Sequence, residues 1–319
     1  MSTTQNQLEI FQAYQDVSNW RGAADLLFHY GSAFGLMALA SHYPSAFTFA
    51  AAFVLIGGLQ NGLMSLQHDA WHHLCFKPHK LNDSICSFLT AYTLGSSYYY
   101  NQVRHRGHHA YFGTVKDPDQ ETFLNEGRET PSRLIAFFAY ILMGGSLIEK
   151  VKTILTKKQH ELPGMDLKPK NMPSSVQELV GIAIAQAVMF GLCALTGHWW
   201  NYFVFWFAPL VTFAAFLTIA RQFIEHANPG MGEVPPVDRL QEFDANFIER
   251  FFFSPAHFEH HAFHHAFPKI PHYRLIAAKR YAKETGVAYK TRVRTGYIAT
   301  LIEHIRALKD NKMERLKQV

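Results

Sequence analysis

Cysteine is scarce in this chain of 319 residues: Cys75, Cys86 and Cys193 are all it has. Three cannot make a disulfide framework, which excludes a small stapled secreted fold, and their spacing suits neither structural zinc nor an iron–sulfur cluster. Charge is thin as well, at 17% of residues, against roughly 25% in ordinary soluble domains. Disordered, coiled-coil and collagen-like architectures are excluded with it. Over residues 26–67 and 179–220 charge vanishes: each stretch of 42 residues lacks Asp, Glu, Lys and Arg. No H-E-x-x-H and no Glu-x-x-His occurs, which disfavours a zincin protease and a carboxylate-bridged ferritin-like site.

What is there begins with those stretches. As a helix each would extend ~63 Å, about twice the ~30 Å hydrocarbon layer of a bilayer. Each carries a breaker near its middle, His42-Tyr43-Pro44-Ser45 in one and Thr196-Gly197-His198-Trp199-Trp200-Asn201 in the other. The expectation is two antiparallel hairpins with spans at about 26–41, 46–67, 177–196 and 201–221, the tryptophan pair lying at a membrane–water interface. Buried hairpins of a soluble protein would need charged faces, which are missing. The mean hydropathy of −0.07 reflects long polar segments between and after the spans. The chain reads as one all-α integral membrane domain, 1–319, with a helical cap formed by 68–175 and 222–319. Residues 134–148 are apolar but too short for a full span, which suggests an interfacial or re-entrant helix.

Sidedness follows from basic residues. Lys150, Lys152, Lys157, Lys158, Lys168 and Lys170 follow the short apolar segment, whereas the hairpin tips carry no Lys or Arg. Under the positive-inside tendency the cap and both termini are expected on the cytoplasmic side. Residues up to Asp25 read as a short amphipathic entry helix, and Met1 to Asn6 lack the basic n-region of a secretory leader. Residues 275–319 hold 11 Lys/Arg and 4 Asp/Glu. That excess suits a solvated face near anionic headgroups, or a docking surface for an acidic carrier or electron-transfer protein.

Histidine is the anomaly. Eleven of the 19 fall in windows 68–73, 105–109 and 257–265, where composition alone predicts ~1. His29, His42, His79, His160, His198 and His304 are isolated and read as structural or surface residues. His68 and His72 stand at i and i+4; His105, His108 and His109 at i, i+3 and i+4; His261, His264 and His265 likewise. Residues one helical turn apart can face one metal, and the adjacent histidine, ~100° away, can face a second. Imidazole suits Zn, Cu, Fe and Ni. Many neutral ligands at one end of membrane helices point to two redox metals with positions left open for oxygen. His226, just beyond the fourth span, lies on the same side. A metal or proton transporter would require ionisable residues within the spans, and the two stretches lack Asp, Glu, Lys and Arg.

These three boxes, in this order and with this span pattern, resemble the membrane fatty acid desaturase and hydroxylase superfamily, the histidine-box di-iron enzymes, over about residues 25–280. The third box continues through Pro268 and Pro271 to Leu275, like the family's H-x-x-H-H-x-x-P-x-x-P-x-x-x-L ending. Asn82-Asp83 and Asp117-Pro118-Asp119 look like bacterial-type members. The resemblance implies nine metal ligands: His68, His72, His105, His108, His109, His226, His261, His264 and His265. Gln222 stands where stearoyl-type desaturases have an Asn that holds a water near one metal. His73, His257 and His260 depart from the simplest pattern, the last two offering a competing register for box three; the Pro268 spacing favours the downstream one. Asp69, Glu225 and Glu259 are candidates for orienting ligand imidazoles.

The implied chemistry is hydrogen abstraction from an unactivated C–H bond of a fatty acyl chain, with two irons as cofactor and O2 as co-substrate. The product is a double bond, or an alkyne if the enzyme acts twice; the alternative is a hydroxylase or ketolase acting on a fatty chain or carotenoid. The acyl group could be carried by a lipid, CoA or a carrier protein. No His-Pro-Gly-Gly haem motif occurs, so electrons are expected from a separate ferredoxin or cytochrome. The substrate channel is expected from the span ends with segments 84–100 and 133–148, which include Phe88, Tyr92 and Tyr98 to Tyr100.

Overall fold

A computed structural model describes residues 11–112, 114, 116–119, 127–155, 172–226, 240–287, 289 and 291–309. In chain order its helices are α1 (Asn19–His42), α2 (Ala46–Trp71), α3 (His79–Cys86), α4 (Tyr98–Tyr111), α5 (Pro131–Leu142), α6 (Gly145–Leu155), α7 (Ser175–Ala194), α8 (Tyr202–His226), α9 (Phe247–Phe252), α10 (His261–Ala266), α11 (His272–Glu284) and α12 (Tyr297–Lys309). Two short strands, β1 (Gln241–Phe243) and β2 (Arg292–Arg294), pair in parallel with Gln241 opposite Arg292. The other regular elements among the described residues are helical, and α1, α2, α7 and α8 are each long and apolar enough to cross a membrane.

Local chemistry sets the helix starts. Ser45 accepts a bond from the Thr48 amide, and the Thr48 hydroxyl accepts one from the Ser45 amide. This reciprocal cap satisfies two donors that lack intrahelical partners. Ser174 and Gln177 open α7 in the same way. The turn at Tyr43 and Pro44 reverses the chain between α1 and α2. Asn201 donates to the Ser41 hydroxyl at 2.8 Å, which ties the two hairpin tips together.

α2 lies at the centre. Most of it beyond Ile56 is buried. α1 and α7 are covered on one side only, leaving Leu27, Phe28 and Leu39, and Val176, Val180 and Ile184, exposed. Such apolar outer faces are suited to hydrocarbon rather than water. Close approach requires a small residue at one crossing: a Cβ on Gly62 would overlap the His29 ring. Polar bonds also cross between spans. Gln60 donates to the Trp206 carbonyl at 2.7 Å, and the Thr218 hydroxyl to Asn61 at 2.7 Å. Around Pro209, which has no amide hydrogen, α8 widens into π turns over Tyr202–Phe207 and Leu210–Ala214.

The helices do not stop where the uncharged stretches do. α1 begins at Asn19, α2 runs on through Asp69 to Trp71, and α8 runs through Arg221 to His226. Hydropathy marks where lipid contact ends, whereas backbone bonding continues into the cap. Among the described residues no separate entry helix precedes α1: a single turn at Gln12–Tyr14 is followed by α1 itself, and the part of that expectation on residues 1–10 lies outside the described residues. The apolar segment near 134–148 is two helices, α5 and α6, broken at Met143 and Gly144. Each is too short to cross. α5 packs Leu134 and Phe138 against Ala220 and Phe223 of α8. Another apolar cluster joins Phe11 to Phe263, Phe267 and Leu275, tying the beginning of the chain to the end of the cap.

Candidate metal centre

Nine histidines converge where α2 and α8 end. His68, His72, His105, His109 and His264 form one group, and His108, His226, His261 and His265 another; within each, one nitrogen per ring lies within 4.8 Å of the others. Helix geometry explains the division. In α4, His105 and His109 are i and i+4 and face the first group, while His108 is rotated ~100° from His109 and faces the second. α10 does the reverse: His261 and His265 serve the second group and His264 the first. The groups adjoin, with the rings of His109 and His265 stacked at 4.3 Å.

The nitrogens meet closely. His72 Nε2 lies 2.8 Å from His105 Nε2 and 3.2 Å from His264 Nε2, and His261 Nε2 lies 3.0 Å from His265 Nε2. Ligands on a metal at ~2.1 Å stand about 3.0–3.4 Å apart at octahedral to tetrahedral angles, so the spacing suits a shared ion. Buried orphans agree. Both ring nitrogens of His68, Nε2 of His109 and Nδ1 of His261 have no hydrogen-bond partner, a costly state unless a lone pair is used elsewhere. Burial pushes His72, His105, His109, His261 and His265 well below the usual imidazole range, with neighbouring histidines adding to it, and pushes His264 to about 3. Neutral imidazoles are what a metal requires.

Surrounding groups fix these rings. Asp117 Oδ1 sits 2.9 Å from His108 Nδ1 and also accepts from the Asp119 amide. His226 Nδ1 donates to the Gln222 carbonyl at 2.9 Å, so it is the Gln222 backbone that orients this ring. Asp69 Oδ1 lies 3.7 Å from His68 Nδ1, too far for a hydrogen bond, while Oδ2 accepts from both the amide and Nδ1 of His272, at 3.0 and 2.8 Å. The other two carboxylates expected to orient ligands do something else. Glu225 accepts from the Tyr297 hydroxyl at 3.1 Å, because the residue beside His226 points to another face of α8. Glu259 meets His257 and Arg250.

The three additional box histidines are absent from both groups. His73, with φ 59°, turns out of α2 to Asp83 at 3.1 Å and stacks on His79. Positive φ at Ala256 and His257 kinks that segment away from α10, and His260 Nδ1 accepts from Lys279 at 3.1 Å. Box three is therefore organised in its downstream register. His160 lies outside the described residues.

Two residues act as anchors: Glu178, which no pattern in the sequence singled out, and Asn82, noticed there only as part of Asn82-Asp83. Glu178, buried in the first turn of α7, accepts from the Tyr99 amide at 2.9 Å and from the Ser97 hydroxyl, capping α4. Asn82, fully buried, accepts from the Cys75 and Phe76 amides and donates to the Ala70 carbonyl and the Tyr98 hydroxyl. It pins the chain as it leaves the first box. Tyr98, in the 84–100 segment, is fully buried, and its hydroxyl lies within hydrogen-bond distance of the Ala70 carbonyl and the Asp83 carboxylate. Glu178 lies 79 residues from the Tyr99 amide it binds, so no local motif signals it.

Fold and site define a membrane protein whose helical cap gathers two adjoining all-imidazole groups at the ends of its spans. The chain belongs to the fatty acid desaturase family, whose model matches residues 44–297. A relative, dihydrorhizobitoxine desaturase of Bradyrhizobium elkanii, is 26% identical over 249 residues, covering 76% of this chain and 70% of the relative. The protein is thus a desaturase-type oxidoreductase of the membrane.

Proposed function

We propose that the two histidine groups hold two irons and that the protein desaturates an apolar acyl chain with O2. The observation that carries this is the pair of adjoining, all-nitrogen groups with unpaired buried ring nitrogens at the membrane end of the cap. His68, His72, His105, His109 and His264 would hold one ion, and His108, His226, His261 and His265 the other. Zinc and nickel fit the donors, but the reaction requires a metal that accepts and returns electrons readily, and O2 chemistry at nitrogen ligands favours iron. Bound iron supplies the oxygen activation that breaks two adjacent C–H bonds. The balance is –CH2–CH2– plus O2, two electrons and two protons giving –CH=CH– and two waters.

The protein's own part is positional. α4 and α10 hold six histidines in fixed register. Asp117 and the Gln222 carbonyl set ring orientation, and burial keeps bulk water from the centre. The substrate is read as a fatty acyl group on a lipid, CoA or carrier protein, supplied with electrons by a separate ferredoxin or cytochrome. We place the cap and both termini in the cytoplasm. This is supported by the lysines at 150–170 and the uncharged hairpin tips on the far side.

The test is mass spectrometry of acyl products from cells expressing the chain with a ferredoxin and its reductase, beside His264→Ala. An oxygen- and His264-dependent loss of two hydrogens is expected. Loss of four indicates an alkyne; gain of one oxygen replaces the desaturase reading with a hydroxylase.

A further inference from the structure

A hollow of about 530 Å³ opens on the cap, beside the metal centre and outside it. Its wall is one face of α11: Ile276, Lys279, Arg280 and Lys283 stand at i, i+3, i+4 and i+7. His260 and Tyr289 close it. No carboxylate lines it among the described residues. Lys279 is already engaged, 2.6 Å from the buried Glu242, which also accepts from the Tyr289 hydroxyl. Arg280 and Lys283 are exposed and have no ion-pair partner among the described residues. Ile276 is 42% exposed at the edge, an apolar anchor within a basic ring.

Position gives the hollow its meaning. His260 is joined by one peptide unit, ~3.8 Å between Cα atoms, to His261 of the second group. We propose that this hollow is where an acidic electron-transfer protein docks to reduce the centre, a surface that deepens the di-iron reading and rests on it. Arg280 and Lys283 steer and orient the partner's carboxylates. Ile276 and the Tyr289 ring give it apolar contact. Each encounter would take one electron from the partner's reduced cluster and pass it to the centre, so two encounters would supply the two electrons each desaturation consumes. A lipid headgroup would satisfy the same cations, but would gain nothing from lying beside His261.

The test compares the iron-loaded full chain with Arg280→Glu/Lys283→Glu, both in phosphatidylcholine nanodiscs. Lys279 is kept because it neutralises Glu242. Reduced plant-type [2Fe–2S] ferredoxin is mixed with each anaerobically, and its oxidation is followed by stopped flow. The expected result is a second-order rate roughly tenfold or more lower in the variant at low ionic strength, the gap closing as salt rises. Dithionite should reduce both at the same rate. Equal ferredoxin rates overturn the proposal. So does an equal slowing with dithionite, since the damage is then to the centre, and so does a variant that loses only binding to vesicles of anionic lipid, which assigns the hollow to headgroups. Failure of both reductants on the wild type refutes the redox metal reading itself, and the docking site falls with it.

Discussion

Removing the Glu178 carboxylate should loosen both metal groups at once, from outside either. Glu178 belongs to α7, yet both its oxygens bind the start of α4, through the Tyr99 amide and the Ser97 hydroxyl. His105 lies six residues, ~9 Å, along α4 from Tyr99. Bonds to a charged acceptor are worth ~1.5–3 kcal/mol each, and an anion at a helix N-terminus adds ~0.3–1 kcal/mol. Against these stands the desolvation of a carboxylate that is 4% exposed. Together they set the cost of Glu178→Ala at about 2–4 kcal/mol. In a chain of this size that corresponds to a fall in Tm of ~3–6 °C. Because α4 gives two histidines to one group and one to the other, iron should be lost from both. Glu178→Gln keeps an acceptor for the Tyr99 amide and should recover most of the loss. The assay is iron per chain by mass spectrometry, thermal unfolding in detergent, and amide exchange read peptide by peptide. Faster exchange is expected in the first turns of α4. Unchanged exchange there, with iron and Tm like the wild type, would refute the reasoning.

Other predictions follow from the same geometry. Asn82→Ala strands the buried amides of Cys75 and Phe76 and should cost roughly 2–5 kcal/mol; chemical unfolding checks it, and a loss under 1 kcal/mol would mean the chain finds other partners. His73→Ala and His257→Ala should leave iron content unchanged, whereas His109→Ala and His265→Ala should each lower it; equal losses from all four would erase the distinction between ligand and neighbour. Gly62→Leu drives a side chain into the His29 ring and should cost roughly 1–3 kcal/mol or more; a Tm like the wild type would show that α1 can shift aside. Burial alone would lower the His272 pKa, but Asp25 and Asp69 outweigh it and raise it to about 9. An ordinary imidazole titrates near ~6.5. Its stabilising contribution is therefore complete below that value and is lost as pH rises from there through about 9. Tm measured across this window should fall less in His272→Gln, and parallel curves would dismiss the assignment.

The legible parts of this protein are those set by local periodicity. Uncharged runs with a breaker at mid-length read as hairpins because lipid excludes charge along a whole helix. The boxes read as a two-group centre because i, i+3 and i+4 geometry lies within one helix. Adjacency misled. Glu225 stands one residue from His226 and Glu259 two from His261, but a step of one or two residues rotates the side chain to another face. Long-range partners were invisible for a different reason. Nothing near Tyr99 says that Glu178, 79 residues away, will cap it, and Asp117 was noticed as part of a motif but not as the partner of His108. The split of segment 134–148 was hidden because Gly144, at φ 90°, lies inside an otherwise apolar run.

α4 and α10 each divide their three histidines between the two groups, two one way and one the other, in opposite senses. The helices therefore work as cross-braces rather than as separate cups. Filling one group fixes the axial rotation of both helices, and so prepays much of the entropy that ordering the other would cost. Metal uptake should be cooperative: chains with both ions or neither should outnumber those with one. A cell short of the metal would then hold a smaller number of complete centres rather than many half-built ones exposed to oxygen.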